Sequence, residues 1–349
     1  MVVSFLSLQE RRKLRLVSRR WLFACTWLQY NGSDESVQPK KSVWNLCSRA
    51  FRHSWTTFLR IKSRSFLPLM LEALPAATKL ETMELKKGLC LSTNTGQRPS
   101  FENPHARSGY IQQKFNRCRN LPDLLLTNEL SELRSKIFRI NQPEPWSIAM
   151  YGGGPGYDVI GLVFMRELFR ATDVNFRATV YDNELGWKYA IDAANQTLIQ
   201  LGFCHVSLRF DLCDITLDLE AVENKFVSQS LRATQLHIFS FVCVENFCIL
   251  HDSGYGMIRS LFAQCSAGSY FIFTDSTHRL WPAIFQVANT TSPDRFRIWT
   301  PYARGCHYAL VLQKLADYSS PAFKYPFYSQ AMQNLAHFQR HQQKQLHTA

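Results

Sequence analysis

The chain has 349 residues and a formal net charge of +13, and all of that excess lies in the first 144 residues, where 24 basic side chains face 11 acidic ones. Ten Cys occur without C-x-x-C pairs, a secretory signal or regular disulfide spacing, and no uninterrupted apolar run is long enough for a membrane helix. A disulfide scaffold and a membrane span are thereby excluded, and the expectation is an intracellular protein, nuclear or cytoplasmic, with reduced thiols.

In chain order the first signal is an apolar helix-turn-helix pattern over residues 1–30, formed by Leu6, Leu8, Leu14, Val17 and Trp21. The segment Leu14-Arg-Leu-Val-Ser-Arg-Arg-Trp21, with Phe5-Leu-Ser-Leu-Gln-Glu10 before it, resembles part of an F-box. The opening Leu-Pro and the first helix of that motif are missing. The resemblance implies the adaptor of cullin-based ubiquitin ligases as a partner. The plainer alternative is a basic helical hairpin packed on its neighbour.

Residues 1–85 read as a basic helical region. Arg11 to Arg20, Lys40 and Lys41, Arg49 to Arg64, and later Lys114 to Arg119 interleave with Trp44, Phe51, Trp55, Phe58 and Phe66. Basic residues among aromatics suit RNA, by phosphate neutralisation and base stacking. A solvated basic surface over an aromatic core fits the same pattern. Residues 86–108 read as a linker, because Ser92 to Ser100 is polar and without period, and Asn103-Pro-His is a further break. Gly109 to Arg119 and Leu124 to Phe138 then read as helices leading into the domain that follows.

That domain, expected over 109–320, opens on Trp146-Ser-Ile-Ala-Met-Tyr-Gly-Gly-Gly-Pro-Gly-Tyr-Asp-Val-Ile-Gly161, an apolar strand that breaks into glycines and resumes as a helix. Glycine permits positive φ and removes the Cβ that keeps a ligand away. The first amides of the following helix are then available to a ligand. A dinucleotide fingerprint needs a glycine three residues after its second, but Gly154 leads to Tyr157 and Gly156 to Val159, which argues against NAD. A second strand, Arg177 to Asp182, ends in an acid suited to a ribose diol.

The order strand, glycine loop, helix, strand, acid resembles the class I S-adenosylmethionine-dependent methyltransferases. The resemblance implies an α/β fold with a Rossmann-like seven-stranded sheet and helices on both faces, and S-adenosylmethionine as cofactor. It further implies that Gly152, Gly153, Gly154, Pro155 and Gly156 pass under the cofactor and that Asp182 takes the ribose hydroxyls. Asp158, or backbone carbonyls, would meet the methionyl ammonium, and Asp211, with Phe210 and Leu212, the adenine. The resemblance also implies that the leading helices cover the cofactor, with Tyr110, Phe115 and Arg117 as part of that cover. Asp214 is read equally as a helix cap.

The remaining strands are expected at Val206 to Asp211, Gln235 to Glu245, Gly268 to Asp275, Arg295 to Pro301 and His307 to Lys314, the last antiparallel. Ser240 to Glu245 falls where substrate and methyl group would meet. No Asn-Pro-Pro-Tyr motif stands there. Glu245, Asp275, His237, His251 and His278 are candidate bases by location only, and His237 is better read as a core residue. The tail, 321–349, is expected to be partly helical, and its His337, His341 and His347 read as a solvated face rather than a closed metal site. The expected function is methyl transfer to an unidentified acceptor, RNA being favoured. The alternative is an F-box-type substrate receptor that uses an inactive methyltransferase fold for binding.

Overall fold

The computed structural model describes residues 41–95, 100–139, 144–169, 171, 174–293, 295–301 and 308–316, with side chains from Trp55 onward except over 90–99. The F-box-like segment and the tail 321–349 lie outside the described residues.

Helices α1 (Lys41–Glu72), α2 (Lys79–Thr95), α3 (Pro104–Lys114), α4 (Asn120–Leu125) and α5 (Ser131–Ile137) precede the sheet, with a 3-10 turn at Phe115–Arg119. Strand β1 (Trp146–Tyr151) leads to α6 (Tyr157–Leu168), β2 (Phe176–Asp182) to α7 (Trp187–Gln200), and β3 (Val206–Leu212) to the short α8 (Lys225–Ser230). After β4 (Leu236–Ser240) come α9 (Val242–Glu245), α10 (Phe247–Asp252) and α11 (Gly256–Gln264). Strand β5 (Tyr270–Asp275), helix α12 (Trp281–Thr291) and strands β6 (Phe296–Trp299) and β7 (Tyr308–Lys314) complete the order.

The sheet runs β3-β2-β1-β4-β5-β7-β6, and β7 is antiparallel to both of its neighbours. This is the seven-stranded Rossmann-like architecture expected, with helices on both faces. Its strand order reverses between β1 and β4, and ligands in open α/β sheets bind outside the carboxyl ends of the strands at such a point.

Parallel strands buried on both faces need apolar residues at successive positions, and here the register turns them into stacks. Tyr181, Tyr151, Phe239 and Phe273 occupy neighbouring positions on β2, β1, β4 and β5, with ring centroids 5.6, 4.5 and 4.6 Å apart in turn. His237 stacks on Phe271 at 4.5 Å, and the Tyr151 hydroxyl lies 3.0 Å from its Nδ1. Burial holds its pKa down at about 3, so His237 is neutral, part of the core, and not a base. At the end of β7 the Lys314 ammonium donates to the carbonyls of Phe262, Ala263 and Cys265 at 2.8–2.9 Å, satisfying acceptors that the end of α11 leaves open.

Several boundaries differ from those read in the sequence. The fourth strand ends at Ser240 rather than Glu245, because Phe241 takes φ 68° and the next four residues coil into α9. An apolar run does not distinguish a buried strand from a buried helix turn. Leu124 to Phe138 is two helices rather than one. The segment expected as a linker is helical to Thr95 and again from Pro104, where Asn103 caps α3 by accepting from the amides of His105 and Ala106. Trp55, Phe58, Phe66 and Met70 of α1 share one buried cluster with β1, β2, α6 and α7. The later part of the basic region therefore packs directly onto the sheet's helices.

That packing also changes how the basic stretches read. Trp55, Phe58 and Phe66 are buried, so their rings are closed to bases. Lys62 pairs with Glu167 and lies over the rings of Phe58 and Phe203, while Arg119 pairs with Asp123. Arg60 and Arg64 are exposed.

Candidate cofactor cleft

Strand β1 ends at the sheet's switch point, and the chain turns through Gly152, Gly154 and Gly156 at φ 59°, 49° and 77°. A non-glycine residue resists all three angles. The amide of Gly152 donates to Tyr181 O (2.7 Å), that of Gly154 to Asp182 Oδ2 (3.0 Å), and that of Gly156 to Gly153 O (3.0 Å). The loop thus spends these donors on its own fold. What it offers a ligand is a surface without side chains.

A cleft of about 840 Å³, counting the open solvent at its mouth, lies over this loop. The loop from Gly152 to Pro155 forms its floor, with Asp158 from the first turn of α6 and Asp182 from the end of β2. The exit of β4 and α9 supply Ser240, Phe241 and Glu245 on the far side. Tyr110 of α3 and Arg117 of the 3-10 turn close the front, as expected of the leading helices. Phe115, expected with them, packs instead between Phe66 and Tyr157 in the core.

Arg117 donates to the Tyr110 hydroxyl (2.7 Å), and its guanidinium lies 3.9 Å from the centroid of the Phe241 ring. Phe241 holds a left-handed conformation that a bulky residue takes at a cost, a form of strain that clusters at functional sites. Phe101, Tyr110 and Trp187 meet at 5.1–5.9 Å between ring centroids at one end of the cleft. Behind them the buried Arg107 donates to the carbonyls of Phe101 and Glu102 and faces Glu184 at 3.9 Å. Sequence reasoning missed Phe101 and Trp187, since nothing local marks a ring as facing a cleft rather than a core.

Asp182 is 8% exposed and accepts from the amides of Gly154 and Glu184, at 3.0 and 3.1 Å. Burial outweighs these bonds and lifts its pKa to about 6. Asp158, 6% exposed, is likewise raised to about 6 by burial, partly offset by a hydrogen bond from Ser240 and by Arg117. Burial also raises Glu245 to about 7, against the pull of Arg117. Asp275, beneath α9, accepts from the amides of Val244 (3.2 Å) and Ser276 (2.7 Å) and is raised by burial to about 7.

Each of these carboxyls binds its proton more tightly folded than unfolded. Their stabilising contribution is complete below the unfolded values near 4 and is lost as pH rises through 6 to 7. The melting temperature is accordingly expected to fall between about pH 5 and about pH 8, and Asp275→Asn is expected to flatten that fall. Scanning calorimetry across this range checks it, and a profile rising with pH would contradict the burial assigned to these groups.

Asp211 is not among the residues lining the cleft. Leu208 and Phe210 pack toward the α7 side of the sheet, so the alternation of β3 turns Asp211 to the opposite face, at the register position of Tyr181. Asp214 accepts from the amide (2.9 Å) and hydroxyl (2.7 Å) of Thr216, closing a turn rather than capping a helix. His251 pairs with Asp252 away from the cleft, and His278 packs on the Tyr308 ring. Among the described residues no cluster of His, Cys, Asp and Glu stands ready to hold a metal, and no helix is long and apolar enough to cross a membrane.

No protein-family model and no curated sequence matches the chain. Solved structures similar to it include a TehB-like SAM-dependent methyltransferase from Corynebacterium glutamicum, at 14% identity, 61% of this chain, 100% of that one and a TM-score of 0.37. A putative class I S-adenosylmethionine-dependent methyltransferase from Listeria monocytogenes is similar at 11% identity, 76% and 90% coverage and a TM-score of 0.38. Human N-acetylserotonin methyltransferase in complex with SAM is similar at 12% identity, 67% of each chain and a TM-score of 0.32. Such low values decide nothing about chemistry, which rests on the cleft itself.

Proposed function

We propose that the cleft binds S-adenosylmethionine and that the protein transfers its methyl group to an acceptor. The observation that carries this reading is the meeting of three features in one cleft at the switch point: the side-chain-free loop from β1, the Asp182 carboxyl, and the open exit of β4. The lining also suits the donor's charge, for it brings the carboxyls of Asp158, Asp182 and Glu245 against one guanidinium, that of Arg117, among the described residues.

When bound, S-adenosylmethionine supplies a methyl group on a positively charged sulfur, which an acceptor takes by in-line displacement. The protein's part is positioning and exclusion of water. Asp182 retains acceptor capacity beyond its two backbone amides and would take the ribose hydroxyls. Gly152 to Gly154 permit close approach of the cofactor, and Asp158 would face its ammonium group. Tyr110 and Arg117 cover the front, leaving the exit of β4 as the place where an acceptor arrives. Calorimetric titration of the folded protein tests the reading. Absence of binding at near-millimolar cofactor would reject it.

RNA is the acceptor class favoured by the N-terminal charge excess, an electrostatic argument, since the rings of Trp55, Phe58 and Phe66 are buried. Affinity of the full chain for RNA should fall steeply with salt, and Arg60→Ala with Arg64→Ala should flatten the log-log slope by about one to two units. Fluorescence anisotropy showing salt-independent or undetectable binding would leave a protein or small-molecule acceptor.

A further inference from the structure

Four carboxyls are gathered at or beneath the cleft, and three of them are tied down. Asp182 is held by the amides of Gly154 and Glu184, Asp275 by those of Val244 and Ser276, and Asp158 by Ser240. Glu245 lines the cleft and accepts no hydrogen bond among the described residues. A half-buried carboxylate on the cleft wall that no backbone amide holds keeps its acceptor positions open to a ligand. Arg117 acts on it electrostatically, but its guanidinium is engaged by the Tyr110 hydroxyl and the Phe241 ring.

Position adds to this. Glu245 closes α9, which begins directly after the strained Phe241 at the exit of β4, opposite the glycine loop. A sulfonium bound between loop and exit would bring its positive charge to this side of the cleft. Asp158 and Asp182 lie on the loop side, with the methionyl ammonium and the ribose as their partners in the proposed binding mode.

We propose that Glu245 is the specificity-determining residue of the cleft: it recognises the positive charge on the donor's sulfur and thereby separates S-adenosylmethionine from the demethylated product, whose sulfur is neutral. This rests on the cofactor reading above. It assigns a discharge role to the same group, because loss of the sulfur's charge on methyl transfer removes the partner of Glu245 and weakens the hold on the product.

The charge on Glu245 varies in the neutral range, where burial sets its pKa near 7 against the pull of Arg117. Asp275 and Asp182 also act on it from β5 and β2, both raising its pKa, while Lys114 of α3 lowers it. The Tyr110 hydroxyl lies within its field and stays neutral. A nearby cation favours the carboxylate, so cofactor affinity should rise with pH as Glu245 ionises, and product affinity should rise less.

The test uses the full chain and two probes, S-adenosylmethionine and S-adenosylhomocysteine, titrated calorimetrically at about pH 5.5 and about pH 7.5. Preference for the methylated probe is expected to rise about fivefold to tenfold over that interval, the scale of a unit charge pair partly screened by solvent. Glu245→Gln, which keeps shape and removes charge, should abolish the rise. Arg117→Met should shift it to higher pH, because the guanidinium that favours the carboxylate is gone. A preference that does not change with pH in the wild type, or that changes equally in Glu245→Gln, overturns the assignment while leaving the cofactor reading intact. Failure of both probes to bind the folded wild type overturns the cofactor reading, and this assignment with it.

Discussion

Asp182→Ala is expected to reduce affinity for S-adenosylmethionine at least tenfold, on the order of 1.5–3 kcal/mol, and to lower stability as well. The two effects share a cause. One carboxylate oxygen accepts from the amide of Gly154 and the other from that of Glu184, so the side chain braces the glycine loop and the turn that leads to α7. Truncation leaves two donors unpaired in a buried place, at about 1–3 kcal/mol each. Asp182→Asn separates bracing from ligand contact. Its remaining carbonyl oxygen can keep one amide, whereas its NH2 group faces the other as donor against donor. Stability of the Asn variant should therefore fall between wild type and Ala. Calorimetry and urea titration on the three proteins measure both quantities. Equal cofactor affinity in wild type and Ala would remove Asp182 from the binding site and leave it as a brace alone.

The second large effect is expected at Gly161, in the middle of α6. A Cβ there would come 1.8 Å from the carbonyl oxygen of Cys118 and 2.9 Å from its carbon, a collision with backbone that no rotamer relieves. The absent side chain lets the turn Phe115–Arg119 lie directly on α6, and that turn carries Arg117 to the front of the cleft. Alanine favours a helix over glycine by about 1 kcal/mol, so an unconstrained site would be stabilised by Gly161→Ala. Overpacking typically costs about 1–3 kcal/mol. The net expectation is destabilisation, together with weakened cofactor binding as Arg117 moves. A variant more stable than wild type, with unchanged affinity, would show that the turn does not depend on this contact. Both readouts come from urea titration and calorimetry on the same samples.

The strands were legible because their signals are local. A short apolar run rich in β-branched and aromatic residues, closed by a glycine or an acid, places β1, β2, β3 and β5 to within a residue or two. The glycine loop was legible for the same reason, since consecutive glycines between strand and helix leave few other roles. Asp211 lies outside the cleft lining, and a signal for that existed: strict alternation along Val206, Leu208 and Phe210 turns its side chain to the other face. The overlong fourth strand had no such signal, for Phe241 to Val244 is as apolar in a helix turn as in a strand. The basic and aromatic stretches fit two readings in the sequence, because charge and rings alternate equally on a nucleic-acid surface and on an amphipathic helix that buries rings, as α1 does with Trp55, Phe58 and Phe66.

The sequence by itself determined an α/β chain with a glycine-floored turn after its first strand and an acid at the end of its second, because backbone freedom and side-chain period are properties of neighbouring residues. Only the tertiary structure decided which groups share the cleft. Arg117 on the one hand and Phe241 and Glu245 on the other come from segments more than a hundred residues apart, and nothing local marks them for one another. Their meeting follows from the bare face of Gly161, which admits the Arg117 turn, and from the left-handed Phe241, which ends β4 early and swings Glu245 to the cleft. Charge, burial and contact at that point are consequences of packing, and packing is not written in any single stretch of sequence.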